Sequence, residues 1–537
     1  MKNLKFGLIK NICLTFVLLL LSGCSSTKPL TSPAIENINE SVIRNIPLSA
    51  ALEVSWSHLD LLNDTIPGVS LDKAYKEIVK EDSKTIIVAV IDSGIDITHE
   101  DLEGNIWVND DEVPNNGIDD DKNGYVDDVN GWNFLGESTN EQLEYVRLLA
   151  SGDKSNPRFN EAKLLHEKEV KKYSNSKDRY EIINNRIKSS DKTIKDFLGK
   201  EKYNKADVLN ITSEDENVLN SANVIKQAYG FGYDSISEIT KELDEYIKSL
   251  NDRLNYYLNI DFNGRAIVGD DPNNINDREY GDNNVMPKNG SSHGTHVSGI
   301  IGAVRNNGLG VNGAANNVKI MAIRNTPNGD EYDKDVALGI YYAVDNGAKI
   351  INMSFGKSFS PHSDWVRDAI AYAAEKDVLI VAAAGNNAEN TDKVQYYPND
   401  QIGVNNEISD NFIKVGSSTN DFGPNLVSSF SNYGKSSVDL FAPGSKIYST
   451  YPKNNYEYAQ GTSMASPLVA GIAALVWSQY PKLSASQVKR VLMASGLKLK
   501  KEIILSDDSK LPFHELSKSG KLINAYNALI LASKVSK

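Results

Sequence analysis

The sequence predicts an α/β fold, a parallel β-sheet with helices on both faces, carrying an inserted α-helical hairpin. Three observations point to it. Continuous apolar, β-branched runs recur along the chain, the pattern of strands covered on both faces. Amphipathic helical stretches alternate with them, which implies right-handed crossovers and a parallel sheet. Between residues 137 and 261 the composition changes abruptly to Lys, Glu, Asn and Tyr with few Gly. The sheet domain is therefore expected to be discontinuous, over residues 51–136 and 262–537, with residues 137–261 as a helical insertion.

The first strand is TIIVAVI from Thr85, ending at Asp92-Ser93-Gly94. Further runs of the same kind are Val318 to Ile323, Lys349 to Met353, Val378 to Ala384 and Phe412 to Val415, each bounded by Gly, Asn or Asp. Helical spacing is clearest over Lys334 to Asn346 and Asp364 to Lys376. Sheets of this kind bind ligands at the carboxyl ends of their strands, where Asp92 and Asn386 both fall. Inside the insertion, Val170, Tyr173, Tyr180, Ile183, Ile187 and Ile194 repeat at helical steps, as do Ile239, Leu243, Tyr246, Leu250 and Tyr257. Two long helices folded back on each other are expected there. Their spacing alone fits a solvated hairpin whose apolar stripe is its own seam as well as a lid or docking arm.

The amino terminus reads as an export signal. Lys2, Lys5 and Lys10 precede the apolar run Ile12 to Leu21, which falls short of the roughly 20 residues a membrane-crossing helix needs. Leu21-Ser22-Gly23-Cys24 resembles a bacterial lipoprotein processing box. That resemblance implies a signal peptide over residues 1–23, lipid on Cys24, and anchoring of an exported chain to the cell envelope on its periplasmic or surface face. An ordinary signal peptide with an incidental cysteine is the alternative. Cys13 lies within the removed segment, so no intrachain disulfide is expected. Residues 24–50 are polar and suit a tether, while Trp56 to Val69 is expected to pack on the domain.

With 40% hydrophobic residues the chain can fill a large core. Its net charge of −14 argues against nucleic acid, which requires a clustered basic face. The acid is concentrated in short Asp-rich loops, which points to cations.

Three local contexts carry groups suited to nucleophilic catalysis. A serine hydroxyl needs an imidazole to accept its proton and a carboxylate to orient that imidazole. Asp92 closes the first buried strand; taken alone, an Asp before Ser-Gly is as well explained by a turn. His293-Gly294-Thr295-His296-Val297-Ser298-Gly299 opens an apolar helix. Its two histidines could suggest metal ligands, but no adjacent carboxylate completes a zinc set, and the other arrangement has His293 facing a site with His296 packed beneath. Gly461-Thr462-Ser463-Met464-Ala465-Ser466-Pro467 opens a second apolar helix, with Pro467 expected in its first turn and Ser463 just ahead of the dipole's positive end. A helix cap is the plain alternative for Ser463.

Together, in this order, these contexts resemble the subtilisin family of serine proteases, over about residues 51–136 and 262–530. The resemblance implies a subtilisin-like fold, a serine endopeptidase of peptide or protein substrates with no catalytic cofactor, and Asp92, His293 and Ser463 as its triad. It further implies that Asn386, closing Ala383-Ala384-Gly385-Asn386, donates its amide to the oxyanion. Asn352-Met353-Ser354-Phe355-Gly356 resembles the segment along which such enzymes pair extended peptide, giving Ser354, Phe355 and Gly356 as substrate-binding residues. A catalytically silent lipoprotein using the fold for binding is the alternative class, and an esterase or peptide ligase could use the same acyl chemistry.

The loop Asp119-Asp120-Asp121-Lys122-Asn123-Gly124-Tyr125-Val126-Asp127 matches the front of a calcium loop, with oxygens expected from Asp119, Asp121, Asn123, Tyr125 and Asp127. Asn130 stands where a full EF-hand has its bidentate Glu. A structural calcium is expected, an acidic Asx-turn loop being the alternative. Two features depart from the family pattern: the long interval between Asp92 and His293, and the linker-like stretch between Cys24 and Thr85, which leaves little room for a folding propeptide.

Overall fold

A computed structural model describes residues 30–36, 38, 47–403 and 406–536. Cys24 and the signal-peptide reading lie outside the described residues. In chain order the strands are β1 (Ile86–Asp92), β2 (Gly131–Asn133), β3 (Val318–Arg324), β4 (Ile350–Met353), β5 (Leu379–Ala383), β6 (Phe412–Ser418), β7 (Leu440–Pro443), β8 (Ile447–Tyr451), β9 (Asn455–Ala459), β10 (Leu497–Lys498), β11 (Glu502–Ile504), β12 (Lys510–Pro512) and β13 (Lys521–Leu522). The α-helices are α1 (Ala50–Ser55), α2 (Leu61–Asp64), α3 (Leu71–Glu77), α4 (Glu144–Ser151), α5 (Phe159–Leu198), α6 (Lys205–Leu209), α7 (Glu216–Tyr229), α8 (Ile236–Asp252), α9 (His293–Gly302), α10 (Asp333–Asp345), α11 (Ser363–Glu375), α12 (Thr462–Gln479), α13 (Ala485–Ser495) and α14 (Ala525–Val535).

Nine strands form the central sheet in the order β10-β13-β7-β6-β5-β4-β1-β3-β2. Its interior is parallel, with Val88↔Ile350 and Ile86↔Val318 flanking β1 and Ile350↔Leu379 joining β4 to β5. Alternation along β1 divides the core: Val88 and Val90 enter one apolar cluster with α12, and Ala89 and Ile91 enter the other with α10 and α11. Both faces of the sheet are thus covered, which is why these strands read as unbroken apolar runs. Helix α12 is buried along nearly its whole length, in keeping with its apolar sequence on every side. Trp56, Leu61, Ile66 and Val69 join the first cluster, as expected for Trp56 to Val69; Ile35 and Ile38, expected in a polar tether, are buried in the same cluster, with Ile35 N bonded to Asn527 Oδ1 at 2.7 Å.

The segment between β2 and α9 differs from the expected hairpin. Helix α5 runs 40 residues and α8 returns along it, but α7 packs against α5 as well. The three helices close a separate apolar core around Ile187, Ile194, Val218, Ala222, Ile225 and Ile239. Among the described residues no helix is long and apolar enough to cross a membrane.

Candidate active site

Strands β1, β4 and β5 end side by side, and the helix N-termini of α9 and α12 meet those ends. Asp92, the last residue of β1, is 1% exposed. His293, the first residue of α9, directs its Nδ1 to both oxygens of that carboxylate, at 2.8 and 3.0 Å. Burial pushes the imidazole's pKa down, but the Asp92 charge and hydrogen bond more than offset it, so His293 stands above the ordinary imidazole value. The close approach depends on Gly294. A Cβ there would lie 2.4 Å from Gly94 O and 3.1 Å from Asp92 Cβ, so any side chain would push α9 off the end of β1.

His296 is buried, with Nε2 3.1 Å from Glu457 O, and burial pushes its pKa down to about 4. The two imidazoles face different partners. His296 is thus packed in the interior while His293 faces Asp92.

Ser463 departs from expectation in its helix position. Helix α12 begins at Thr462 with Gly461 as N-cap, so Ser463 lies inside the first turn and Pro467 in the second. The proline has a physical consequence there. Its missing N–H would have bonded Ser463 O, and that carbonyl instead accepts from Ser354 Oγ at 3.0 Å. Ser463 Oγ in turn donates to Ser354 O at 2.9 Å. Among the described residues no hydrogen bond joins Ser463 Oγ to His293.

Asn386 follows β5, where its Oδ1 accepts from Thr462 N at 2.9 Å and Thr462 Oγ1 at 3.0 Å. This ties the carboxamide to the first residue of α12 through its oxygen. A Cβ built on Gly461 would stand 3.4 Å from Asn386 Nδ2 and 3.5 Å from Ser463 N. Both nitrogens thus lie close to Gly461, and neither donates a hydrogen bond among the described residues.

Ser354, Phe355 and Gly356 continue from β4. Ser354 is bound to Ser463 as above, and Gly356 O accepts from Tyr396 OH at 2.9 Å. The Phe355 C=O and the half-exposed Gly356 N–H are unpaired among the described residues.

The acidic loop lies apart from this cluster. Asp119 and Asp121 come together, but their third carboxylate is Glu112, which the sequence reading did not single out; ligand atoms of all three lie within 4.8 Å of one another. Glu112 Oε1 accepts from Asp120 N at 2.9 Å, whereas its Oε2 is buried with no hydrogen-bond partner. Asn123 borders the cluster, with Nδ2 3.0 Å from Asp121 Oδ2. Asp127 turns away, its carboxylate accepting from Asn116 N and Gly117 N. The Tyr125 ring packs edge-on against Trp132 and Tyr342, which leaves only its backbone oxygen for a ligand role.

The sequence pattern of the subtilase family, peptidase S8, matches residues 83–510. The chain belongs to the subtilase family. Thermitase from Thermoactinomyces vulgaris is 42% identical to it over 217 residues, covering 40% of this chain and 70% of that one. Subtilisin DY from Bacillus licheniformis is 40% identical over 212 residues, covering 39% of this chain and 72% of the relative. The thermophilic serine proteinase of Bacillus sp. (strain AK1) is 40% identical over 226 residues, 42% of this chain and half of the relative. As a subtilase the chain is a serine protease by family, with protein or peptide as its class of substrate.

Proposed function

We propose that the protein is a serine endopeptidase that cuts extended peptide through an acyl-enzyme, with Asp92, His293 and Ser463 as triad and Asn386 as oxyanion donor. The observation that carries this reading is the buried Asp92 carboxylate 2.8 Å from His293 Nδ1, with Asn386 Nδ2 and Ser463 N both near Gly461 and donating to nothing among the described residues. Ser463 Oγ turns from Ser354 O toward His293 Nε2, gives up its proton there, and attacks the scissile carbonyl carbon. Asp92 fixes the tautomer by holding Nδ1–H. Charge that develops on the carbonyl oxygen is met by Asn386 Nδ2–H and the Ser463 N–H. The tetrahedral species collapses as the C–N bond breaks and His293 returns the proton to the leaving amine; water then repeats the sequence on the ester, releasing the acid and regenerating Ser463. The unpaired Gly356 N–H offers a backbone donor for pairing with the peptide.

Labelling of the protein by a fluorophosphonate probe tests this reading, with Ser463→Ala as comparison. Labelling that disappears in Ser463→Ala is expected. A folded parent that does not label would favour the binding-lipoprotein alternative.

Two further parts belong to the same proposal. The protein is exported and held at the cell envelope by lipid on Cys24, a reading supported by Leu21-Ser22-Gly23-Cys24 after an apolar run. A structural calcium is held by Glu112, Asp119 and Asp121, with Asn123 beside them. The buried, unpartnered Glu112 Oε2 supports a cation, because a carboxylate oxygen without donor or ion is costly to bury.

A further inference from the structure

The base of the helical insertion grips the chain immediately beyond Gly356. Lys357 is bridged to Tyr397 through both backbone groups, at 2.9 and 2.8 Å. Its ammonium is 1% exposed and meets Glu144 Oε2 at 2.8 Å and Asp333 Oδ1 at 3.0 Å, and donates to Glu331 O at 2.6 Å. Glu144 opens α4 and also pairs with Arg147, whose Nη1 donates to Asp330 O at 2.9 Å. Burial alone would neutralise Glu144, yet the charges of Arg147 and Lys357 hold its pKa down to about 2, so the contact with Lys357 is an ion pair. One residue further on, Ser358 O accepts from Arg158 Nη1 at 2.7 Å. Phe359 then enters a small apolar cluster with Tyr145, Val146, Ala162 and Leu258, and the Arg158 guanidinium lies 3.5 Å from the centre of its ring.

A solvated hairpin needs none of this. The insertion's main apolar core closes on itself around α5, α7 and α8. Only its base spends buried charge and aromatic packing on the sheet domain, at Asp330 to Tyr332 through Arg147 and at the three consecutive residues 357 to 359 that follow Gly356.

We propose that the insertion is a positioning element for peptide binding, in which Glu144 and Arg158 hold residues 357–359 and thereby set the Phe355–Gly356 edge against the substrate backbone. This rests on the reading of Ser354–Gly356 as the peptide-binding segment. Glu144 and Arg158 are positioning residues and do not touch the reacting atoms. Loosening the grip changes how well an extended peptide is held and leaves the nucleophile as it was.

The test uses the full chain with Glu144→Gln and Arg158→Met, the second being a partly exposed residue whose loss leaves the buried charges intact. Fluorophosphonate labelling rate and turnover of a single-residue ester should stay within about twofold of the parent in both variants. KM for a hexapeptide should rise at least fivefold with little change in kcat, the pattern of lost ground-state binding. Binding of a fluorescent hexapeptide to Ser463→Ala, with and without Glu144→Gln, reads the same coupling without catalysis. If the parent fails to label, the peptidase reading falls while this binding comparison still decides the coupling. Hexapeptide KM and affinity unchanged in both variants would overturn the proposal, as would a parallel fall of labelling, ester turnover and peptide turnover.

Discussion

Removing the Asn386 side chain separates the chemistry of the site from its architecture. Asn386 Nδ2 and Ser463 N both lie close to Gly461 with no acceptor of their own among the described residues, and Asn386→Ala leaves one of the two donors. Loss of one such donor costs on the order of 10² to 10³ in kcat, or roughly 3 to 4 kcal/mol at about 1.36 kcal/mol per tenfold. KM should stay near the parent value, because the donor acts on charge that exists only in the transition state. The structural cost is small. Thr462 N–H and Oγ1 lose the Asn386 Oδ1 acceptor, but Asn386 is exposed and water can replace it, so about 1 kcal/mol or less is at stake and Tm should fall by about 2–4 °C at most. Asn386→Asp sharpens the comparison. It keeps an acceptor for Thr462 and replaces the donor with a negative charge facing the developing oxyanion, so it should lose at least as much turnover as Ala with an unchanged melt. The assay is kcat and KM on one peptide substrate alongside thermal unfolding. Asn386→Ala that keeps kcat within threefold and melts like the parent would refute the oxyanion assignment.

Three other outcomes are expected. Neutral imidazole is the working base, so kcat/KM should fall with decreasing pH through a His293 pKa above about 6.5, and Asp92→Asn should move that limb to lower pH while cutting turnover about a thousandfold or more; an unmoved limb would count against the pairing. The sign for stability follows: a raised histidine pKa stabilises the fold below the unfolded value, and this is lost as pH rises through the folded one. Excess EDTA should lower Tm, and Glu112→Gln should remove most of the calcium-dependent increment, which is about 2.7 kcal/mol when free calcium is 100-fold above Kd; identical melts with calcium and chelator would argue for the Asx-turn alternative. Cys24→Ser should move the protein from the membrane pellet to the soluble fraction and abolish incorporation of labelled fatty acid, and a variant that still incorporates fatty acid would exclude Cys24 as the anchor.

What was legible in the sequence follows from how local each determinant is. Asp92 and Asn386 close apolar runs, and strand ends can be located from composition alone, so their placement at the sheet's carboxyl edge was readable. His293 is followed by Gly294, and the reason for that glycine is tertiary: a Cβ there would meet Gly94 O at 2.4 Å. Helix α7 carries its own three- and four-residue repeat through Val218, Ala222 and Ile225, a spacing signal that the two-helix expectation passed over. Pro467 shows the limit of boundary rules: a proline near a helix start reads as first turn, but the bond between Ser463 O and Ser354 Oγ pays for its place in the second. Glu112 and Glu144 were not legible at all. Each is one acid among many, and what distinguishes them is burial beside partners that tertiary folding brings, Lys357 lying 213 positions from Glu144.

The paired bonds between Ser354 and Ser463 explain why the insertion is expected to act on binding and not on the chemical step. Ser463 Oγ donates to Ser354 O, and Ser354 Oγ donates to the Ser463 carbonyl that Pro467 leaves free. Strand end and nucleophile helix are thus clipped in both directions at residue 354. On the far side, Lys357 is clipped to Tyr397 and to Glu144. Between the two anchors lie only Phe355 and Gly356, where the Gly356 N–H is free for substrate while Gly356 O is held by Tyr396 OH. Slack introduced at Lys357 can be absorbed across those two residues before it reaches Ser463. A peptide paired along them feels the change first, and a small probe that meets only Ser463, His293 and Asn386 does not.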